Sequence, residues 1–292
     1  MSGAYRACLA HGCNLFDTAE SYGGGLLGGW GSSERFLAAC MREGGEAAAA
    51  PPGPAPVIVS KYIPLPWRLF EPRCMMRALQ ATVSRLEVEA VDVYLVHSPV
   101  ATFNSIKTLA SSLAAAVDSG LARHVGVSNY SEAEVRETHR VLAEAGLPLA
   151  ANQVEFSLLH ALPERSGLLD ACSELGVGVM AYSPLAMGRL SGKYSAANKP
   201  RGARRFGDLP FERIQPVVDL LARLGRQHGG KTPAQVALNW LVCKGAVPIP
   251  GAKNAAQAEA NTGALGWRLS GGDVGELDEA AVEGSLKLGQ HG

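Results

Sequence analysis

The chain has 292 residues, of which 47% are hydrophobic and 18% charged, so it can bury one large core or two ordinary ones. Lysine plus arginine equals aspartate plus glutamate, at 27 each; that neutral balance gives no electrostatic reason to expect nucleic acid or an acidic membrane as a partner. No apolar stretch approaches the ~18 residues of a membrane span, no secretory leader precedes the first helical pattern, and the six cysteines lack CxxC or metal-ligand spacing, which predicts reduced, mostly buried thiols and no metal.

In chain order, a helical pattern over Ala4–His11 leads into a short apolar strand, Asn14–Asp17. A glycine-rich turn holding Tyr22 follows, then a helix over Ser32–Arg42. Glu43–Pro56 is rich in Gly, Ala and Pro and reads as a surface connection. Val57–Lys61 is the second strand, Glu71–Leu86 a helix, and Val91–His97 the third strand. Helix Ser105–Ser119, strand His124–Ser128, helix Glu132–Ala145 and strand Asn152–Glu155 continue the alternation. Pro163–Leu175, Val177–Tyr182, Phe211–His228, Thr232–Cys243, Val247–Ile249 and Ala255–Ala264 complete it as helix, strand, two helices, strand and helix. The strands are short and rich in β-branched residues, as strands buried on both faces are. Ser195–Pro210, basic and Gly/Pro-rich, follows a strand end and is expected to act as a lid. A strand–helix alternation this long predicts an α/β fold, a single (β/α)8 barrel over 1–292. Seven strands are visible where a closed barrel has eight, and the strand that would precede the first helix is missing.

Four polar residues fall where successive strands and turns end: Asp17, Tyr22, Lys61 and His97. Parallel barrel strands bring such ends to one rim, where barrel enzymes do chemistry. A phenol has an ordinary pKa of about 10, and an ammonium ~4–6 Å away favours the phenolate. Lys61 is therefore expected to lower the pKa of Tyr22, with Asp17 holding Lys61 charged and His97 either orienting a substrate carbonyl oxygen or sharing the proton. The result is a general acid suited to an oxygen that turns negative as its carbon is reduced.

Asn14-Leu15-Phe16-Asp17-Thr18-Ala19-Glu20-Ser21-Tyr22-Gly23 resembles the signature of the aldo-keto reductases. So do Ser60-Lys61-Tyr62, Leu95-Val96-His97, Gly126-Val127-Ser128-Asn129-Tyr130, Asn152-Gln153-Val154, Ala181-Tyr182-Ser183-Pro184-Leu185 and Val247-Pro248-Ile249-Pro250-Gly251, in the family's order along nearly the whole chain. The resemblance implies a TIM barrel, NADPH as cofactor, and reduction of an aldehyde or ketone to an alcohol with Tyr22 as the acid of an Asp17–Tyr22–Lys61–His97 tetrad. It also implies cofactor contacts. Ser128, Asn129 and Gln153 match the carboxamide-binding positions, and Tyr182 matches the ring that stacks on the nicotinamide. Ser183, Leu185, Gly188 and Lys193 match the pyrophosphate lining. Gly251 and Lys253 lie in the loop that meets the 2′-phosphate, while Gln257 and Asn261 match positions around the adenosine. The pattern departs at Ala260, where the family often carries an acid. Leu65-Pro66-Trp67-Arg68, the Asn239–Gly245 stretch and Leu265-Gly266-Trp267 resemble a plant and algal, plastid-type branch that includes pyridoxal reductase, which implies a chloroplast location and otherwise the cytoplasm. The partner expected is a small carbonyl substrate, and the chain is expected to be a monomer.

Other signals point elsewhere. Gly23-Gly24-Gly25-Leu26-Leu27-Gly28 fits GxGxxG but does not directly follow its strand, and no acid-ended strand lies about twenty residues on; it reads as an active-site loop. Gly126-x-Ser128 lacks the second glycine of a nucleophile elbow. A Schiff base at Lys61 is disfavoured by Asp17, which keeps the amine charged. The alternative to a reductase is an NADP-binding regulatory module without turnover, as in the potassium-channel β subunits, which resemble this family.

Overall fold

Seven apolar runs separated by helices pair most simply in parallel, each helix returning the chain to the same end of the sheet. The computed structural model, which describes residues 2–23, 29–46, 55–99, 102–199 and 209–283, has that topology. The strands are β1 (Leu15–Asp17), β2 (Val57–Tyr62), β3 (Val91–Val96), β4 (Ala122–Ser128), β5 (Leu149–Glu155), β6 (Gly178–Tyr182) and β7 (Ala246–Pro248). They form one sheet in sequence order, and every neighbouring pair is parallel. The predicted lid lies partly outside the described residues, which omit 200–208; so do 47–54 of the first surface connection and 24–28 of the glycine-rich turn.

The helices are α1 (Ser2–Ala10), α2 (Ser32–Glu46), α3 (Arg73–Leu86), α4 (Ile106–Asp118), α5 (Glu132–Glu144), α6 (Leu162–Arg165), α7 (Leu168–Glu174), α8 (Phe211–Gln227), α9 (Pro233–Cys243), α10 (Ala255–Thr262) and α11 (Gly271–Ala280), with a 3-10 helix at Ala186–Ser191. Thr232 caps α9 by accepting from Gln235 N, with Pro233 in the first turn. Two helices differ from the sequence reading. The single helix expected over Pro163–Leu175 is two, α6 and α7, broken at Gly167 with φ 81°. Helix α11 was not anticipated, because three glycines at 271, 272 and 275 mask its Ser270–Asp273 capping box.

Strand side chains alternate between two cores. One face meets the helices in a large cluster that includes Ile58, Tyr62, Tyr94, Val96, Val125 and Val154. The other face fills the inside of the curl, where Val59, Leu95, Ala151 and Met180 pack with Leu15, Val93 and Ile249. A Cβ on Gly126 would lie 2.6 Å from both Ala151 O and a Leu95 methyl, so β4 needs glycine there. Moving two residues on from this inner layer gives Asp17 after Leu15, Lys61 after Val59, His97 after Leu95, Gln153 after Ala151 and Tyr182 after Met180. Period-two geometry thus places the predicted polar residues in the next layer up, at the C-terminal mouth.

The described residues hold seven strands, the number counted in the sequence. Among the described residues β1 pairs with β2 alone and β7 with β6 alone, and both are three residues long. The helical ring nevertheless closes across this gap. Ala4 and Ala7 of α1 pack on Ala258 of α10, and these small side chains let the two helices approach.

Candidate active site

At the end of β1, Thr18 N donates to Val59 O at 2.9 Å and carries Asp17 against β2. Lys61 is fully buried. Its Nζ donates to both Asp17 oxygens, at 2.7 and 2.6 Å, and to Thr18 O at 2.8 Å. Those three acceptors match the three ammonium protons. Burial draws the Lys61 pKa down and Asp17 opposes it. We take the pair as ionised, because a neutral amine would give up this acceptor set. Gln153 Nε2 donates to Asp17 Oδ1 at 2.8 Å from β5, on the far side of the curl. This bond from β5 to β1 spans the interior and fixes the curvature at the mouth.

The turn after β1 brings Tyr22 back over this pair. Lys61 Nζ lies 4.7 Å from the Tyr22 ring centroid. Tyr22 Oη and His97 Nε2 are 3.5 Å apart, the two rings meeting edge-on at 5.4 Å between centroids. His97 follows β3 directly, its N–H donating to Tyr62 O at 2.7 Å, and Ser21 Oγ lies 3.3 Å from its Nδ1. Burial first, and Lys61 second, lower the His97 pKa to about 3, so its imidazole is neutral at any physiological pH.

One expectation is corrected. Lys61 was expected to lower the Tyr22 pKa, yet that pKa is raised well above its ordinary value. Loss of water contacts is the largest cause, followed by the carboxylate of Asp17 and the phenol of Tyr182. The physical reason is that Lys61 does not act as a bare cation. It is bound to Asp17, and a neutralised pair cannot offset desolvation of a phenolate. The corner therefore holds a protonated phenol and a neutral imidazole at hydrogen-bonding range, above a buried ion pair. A carbonyl oxygen set there meets a phenol able to donate to it.

The residues read as cofactor contacts occupy the remaining mouth. Asn129 has φ 61°, and its N–H bonds to Gln153 O at 2.8 Å. Its side chain donates to His97 O and Ser128 Oγ, at 3.2 Å each, and accepts from Tyr182 Oη at 2.8 Å. Ser128 Oγ donates to Gln153 O at 2.8 Å. Ser128, Asn129, Gln153 and Tyr182 thus form one network touching His97 and Asp17. Ser183, Leu185 and Gly188 lie in the turn after β6, where Ser183, Ala186, Met187 and Gly188 all have positive φ. Lys193 follows the 3-10 helix, 5.7 Å from the Tyr194 ring centroid. Gly251 and Lys253 are exposed after β7, and Asn254 caps α10 by accepting from Gln257 N at 2.9 Å. Asn261 lies within α10. Among the described residues Lys253 makes no salt bridge, so this cation beside a helix N-terminus fits a phosphate. The amide-rich network at the mouth likewise fits a carboxamide.

Two participants carried no assigned role in the sequence reading. Glu20 is buried to 1% exposure three residues after Asp17. It accepts from Arg68 Nη1 at 2.6 Å, Arg68 Nη2 at 3.2 Å and Ile63 N at 3.0 Å. Both residues sit inside the motifs quoted above, but a glutamate in a turn gives no sequence signal that it is buried.

Residues 3–282 match the Aldo/keto reductase family. The chain is 36% identical to a chloroplastic pyridoxal reductase of Arabidopsis thaliana, over 99% of this chain and 78% of that one. An aldo-keto reductase from Klebsiella pneumoniae, crystallised with NADPH, superposes with a TM-score of 0.71 at 26% identity, covering 99% of this chain and 87% of that one. The glycerol dehydrogenase of Gluconobacter oxydans shares the fold, with a TM-score of 0.81 at 24% identity over 98% and 87% of the two chains.

Proposed function

The chain belongs to the aldo/keto reductase family, and on that premise we propose that it reduces an aldehyde or ketone to the alcohol with NADPH, Tyr22 supplying the proton. The observation that carries this reading is the meeting of Tyr22, Lys61 and His97 at one corner of the barrel mouth. The chemistry a bound NADPH supplies is a hydride to the carbonyl carbon. Tyr22 Oη donates its proton to the oxygen as that carbon is reduced, and solvent later restores it. His97, neutral, orients the oxygen through Nε2. Its Nδ1 lies near Ser21 Oγ, which can hold the tautomer. The raised Tyr22 pKa keeps the acid protonated in the resting enzyme. Lys61 Nζ, held by Asp17, lies 4.7 Å from the Tyr22 ring centroid and fixes where the phenol sits.

Ser128, Asn129 and Gln153 would hold the carboxamide, and Tyr182 would face the nicotinamide ring. Ser183, Leu185, Gly188 and Lys193 would line the pyrophosphate. Lys253 would meet the 2′-phosphate, with Gly251, Gln257 and Asn261 around the adenosine. The chloroplastic relative favours a plastid location; a fluorescent fusion of the full transcript's product, seen outside plastids, would count against it. The activity is tested by incubating the protein with NADPH and a panel of aldehydes and ketones. Absorbance loss at the nicotinamide band, matched one-for-one by alcohol in the mixture, is expected. NADPH binding without alcohol from any carbonyl would point to a nucleotide-binding module.

A further inference from the structure

The turn after β1 sets two neighbouring side chains against one imidazole. Ser21 Oγ lies 3.3 Å from His97 Nδ1, and Tyr22 Oη lies 3.5 Å from His97 Nε2. The residue before them anchors the turn. The buried Glu20 carboxylate accepts from Ile63 N at 3.0 Å and from Arg68 Nη1 at 2.6 Å, and Gly31 N donates to Glu20 O at 2.7 Å. The imidazole is held from its own side. His97 N donates to Tyr62 O at 2.7 Å, and Asn129 Nδ2 donates to His97 O at 3.2 Å. Both sides of the contact are thus fixed by bonds other than the contact itself.

A neutral imidazole carries one proton for two nitrogens, and burial with Lys61 keeps this ring neutral. The hydrogen bonds along Ser21, His97 and Tyr22 can then run in either of two directions. In the first, Ser21 donates to Nδ1, Nε2–H donates to Tyr22 Oη, and the phenolic proton points away from the ring. In the second, Tyr22 donates to Nε2, Nδ1–H donates to Ser21 Oγ, and the serine proton is left over. The two ends of the chain differ. Tyr22 is 36% exposed at the mouth, whereas Ser21 is half-buried and among the described residues its Oγ has no hydrogen-bond partner besides Nδ1. A hydroxyl proton without a second acceptor is the costlier end. The second direction would also spend the acid's proton inside the protein and turn the Nε2 lone pair towards a carbonyl oxygen.

We propose that Ser21 is a positioning residue that donates to Nδ1, fixes His97 as the Nε2–H tautomer, and so leaves the Tyr22 proton for the substrate oxygen. The inference rests on the reductase reading and adds the residue that gives these hydrogen bonds their direction. With a carbonyl oxygen in the corner, Nε2–H and Oη–H both aim at it.

The first measurement needs no substrate. Long-range proton–nitrogen NMR correlation on protein with isotope-labelled histidine reads the tautomer at neutral pH, the His97 signals being those lost in His97→Gln. Wild type should show a protonated Nε2 and a bare Nδ1. Ser21→Ala should give a mixture of the two tautomers, and Ser21→Thr, which keeps the hydroxyl, should restore the wild-type form. The second measurement is the single-turnover rate of aldehyde reduction with NADPH. Ser21→Ala should lower it about five- to tenfold, as losing one hydrogen bond to a neutral group does, with the NADPH dissociation constant within about twofold of wild type. Ser21→Thr should recover most of that loss. In a His97→Gln background Ser21→Ala should cost less than about twofold, because an amide has no tautomer to select. A wild-type His97 protonated at Nδ1 overturns the proposal, and so does a Ser21→Ala protein whose His97 keeps the wild-type tautomer. Should Ser21→Ala not fold, the wild-type tautomer still decides. A protein with the Nε2–H tautomer set by Ser21 that reduces no carbonyl defeats the reductase reading and leaves the assignment of Ser21 standing.

Discussion

The middle of the sheet and its two edges are built to different standards. Strands β2 to β5 are six or seven residues long, each with a partner on both sides, and their apolar side chains are almost wholly buried. β1 and β7 are three residues long with one described partner each, and Val247 of β7 is 45% exposed. Yet the carboxylate of the reacting corner sits on the weaker kind, at the end of β1. What holds Asp17 is not a ladder of backbone bonds but side chains reaching to it, Lys61 from β2 and Gln153 from β5. Chemistry and architecture share the same bonds at this edge, so a change to the site is also a change to the fold.

That contrast can be broken most forcefully at Lys61. Lys61→Met strips Asp17 of its cation and leaves a mostly buried carboxylate facing an apolar side chain. Removing one partner of such a pair costs about 3–5 kcal/mol, and losing the group that supports the acid lowers turnover by about 10²–10⁴. Urea denaturation and steady-state rates check the two effects separately. Normal stability with lost activity would mean that Asp17 is held by Gln153 alone.

Next in size is a paired truncation. Leu95→Ala in the inner layer should cost about 3 kcal/mol, since Leu95 is fully buried. Val247→Ala on the open edge should cost under about 0.5 kcal/mol, as exposed positions do. Equal losses would show that the edge by β7 is covered in solution.

A third effect is a pH dependence. His97 has a folded pKa of about 3 against an ordinary 6.5. Between those values the unfolded chain binds a proton that the folded chain does not, so stability falls as pH drops from about 6.5 towards 3. His97→Gln should flatten that acid slope by up to one proton, read from thermal midpoints across the range. An unchanged slope would place a charged imidazole in the folded site. For the same reason the rate of reduction should show no limb near pH 6.5 that belongs to His97.

Much of this was legible in the sequence because β strands count in twos. Leu15 and Asp17, Val59 and Lys61, Leu95 and His97, Ala151 and Gln153 are apolar–polar pairs two apart. That spacing alone stacks a polar layer on an apolar one. Direction of charge effects was less legible. The fall expected in the Tyr22 pKa counted Lys61 as a cation near the phenol, but burial and the Asp17 carboxylate reverse it. Sequence shows which charges are present and not how each is already paired. The same limit hid Glu20, whose role depends on Arg68 arriving from 48 residues away. The branch-like motif at Asn239-Trp240 proves structural. Asn239 donates to Ala264 O and Trp267 O and accepts from Leu269 N, and Trp240 Nε1 donates to Asp278 on α11. These bonds fasten the segment from Ala264 to Asp278, including part of the helix its glycines concealed.

We propose that the phenol of Tyr22 donates the proton and holds neither the fold nor the cofactor. It is tested most directly with Tyr22→Phe, which deletes one oxygen from a side chain that is 36% exposed. NADPH fluorescence titration and aldehyde turnover should be measured on the same sample. The account predicts an unchanged NADPH dissociation constant and a turnover number lower by about 10²–10⁴. Turnover within about twofold of wild type at the same NADPH affinity would contradict it.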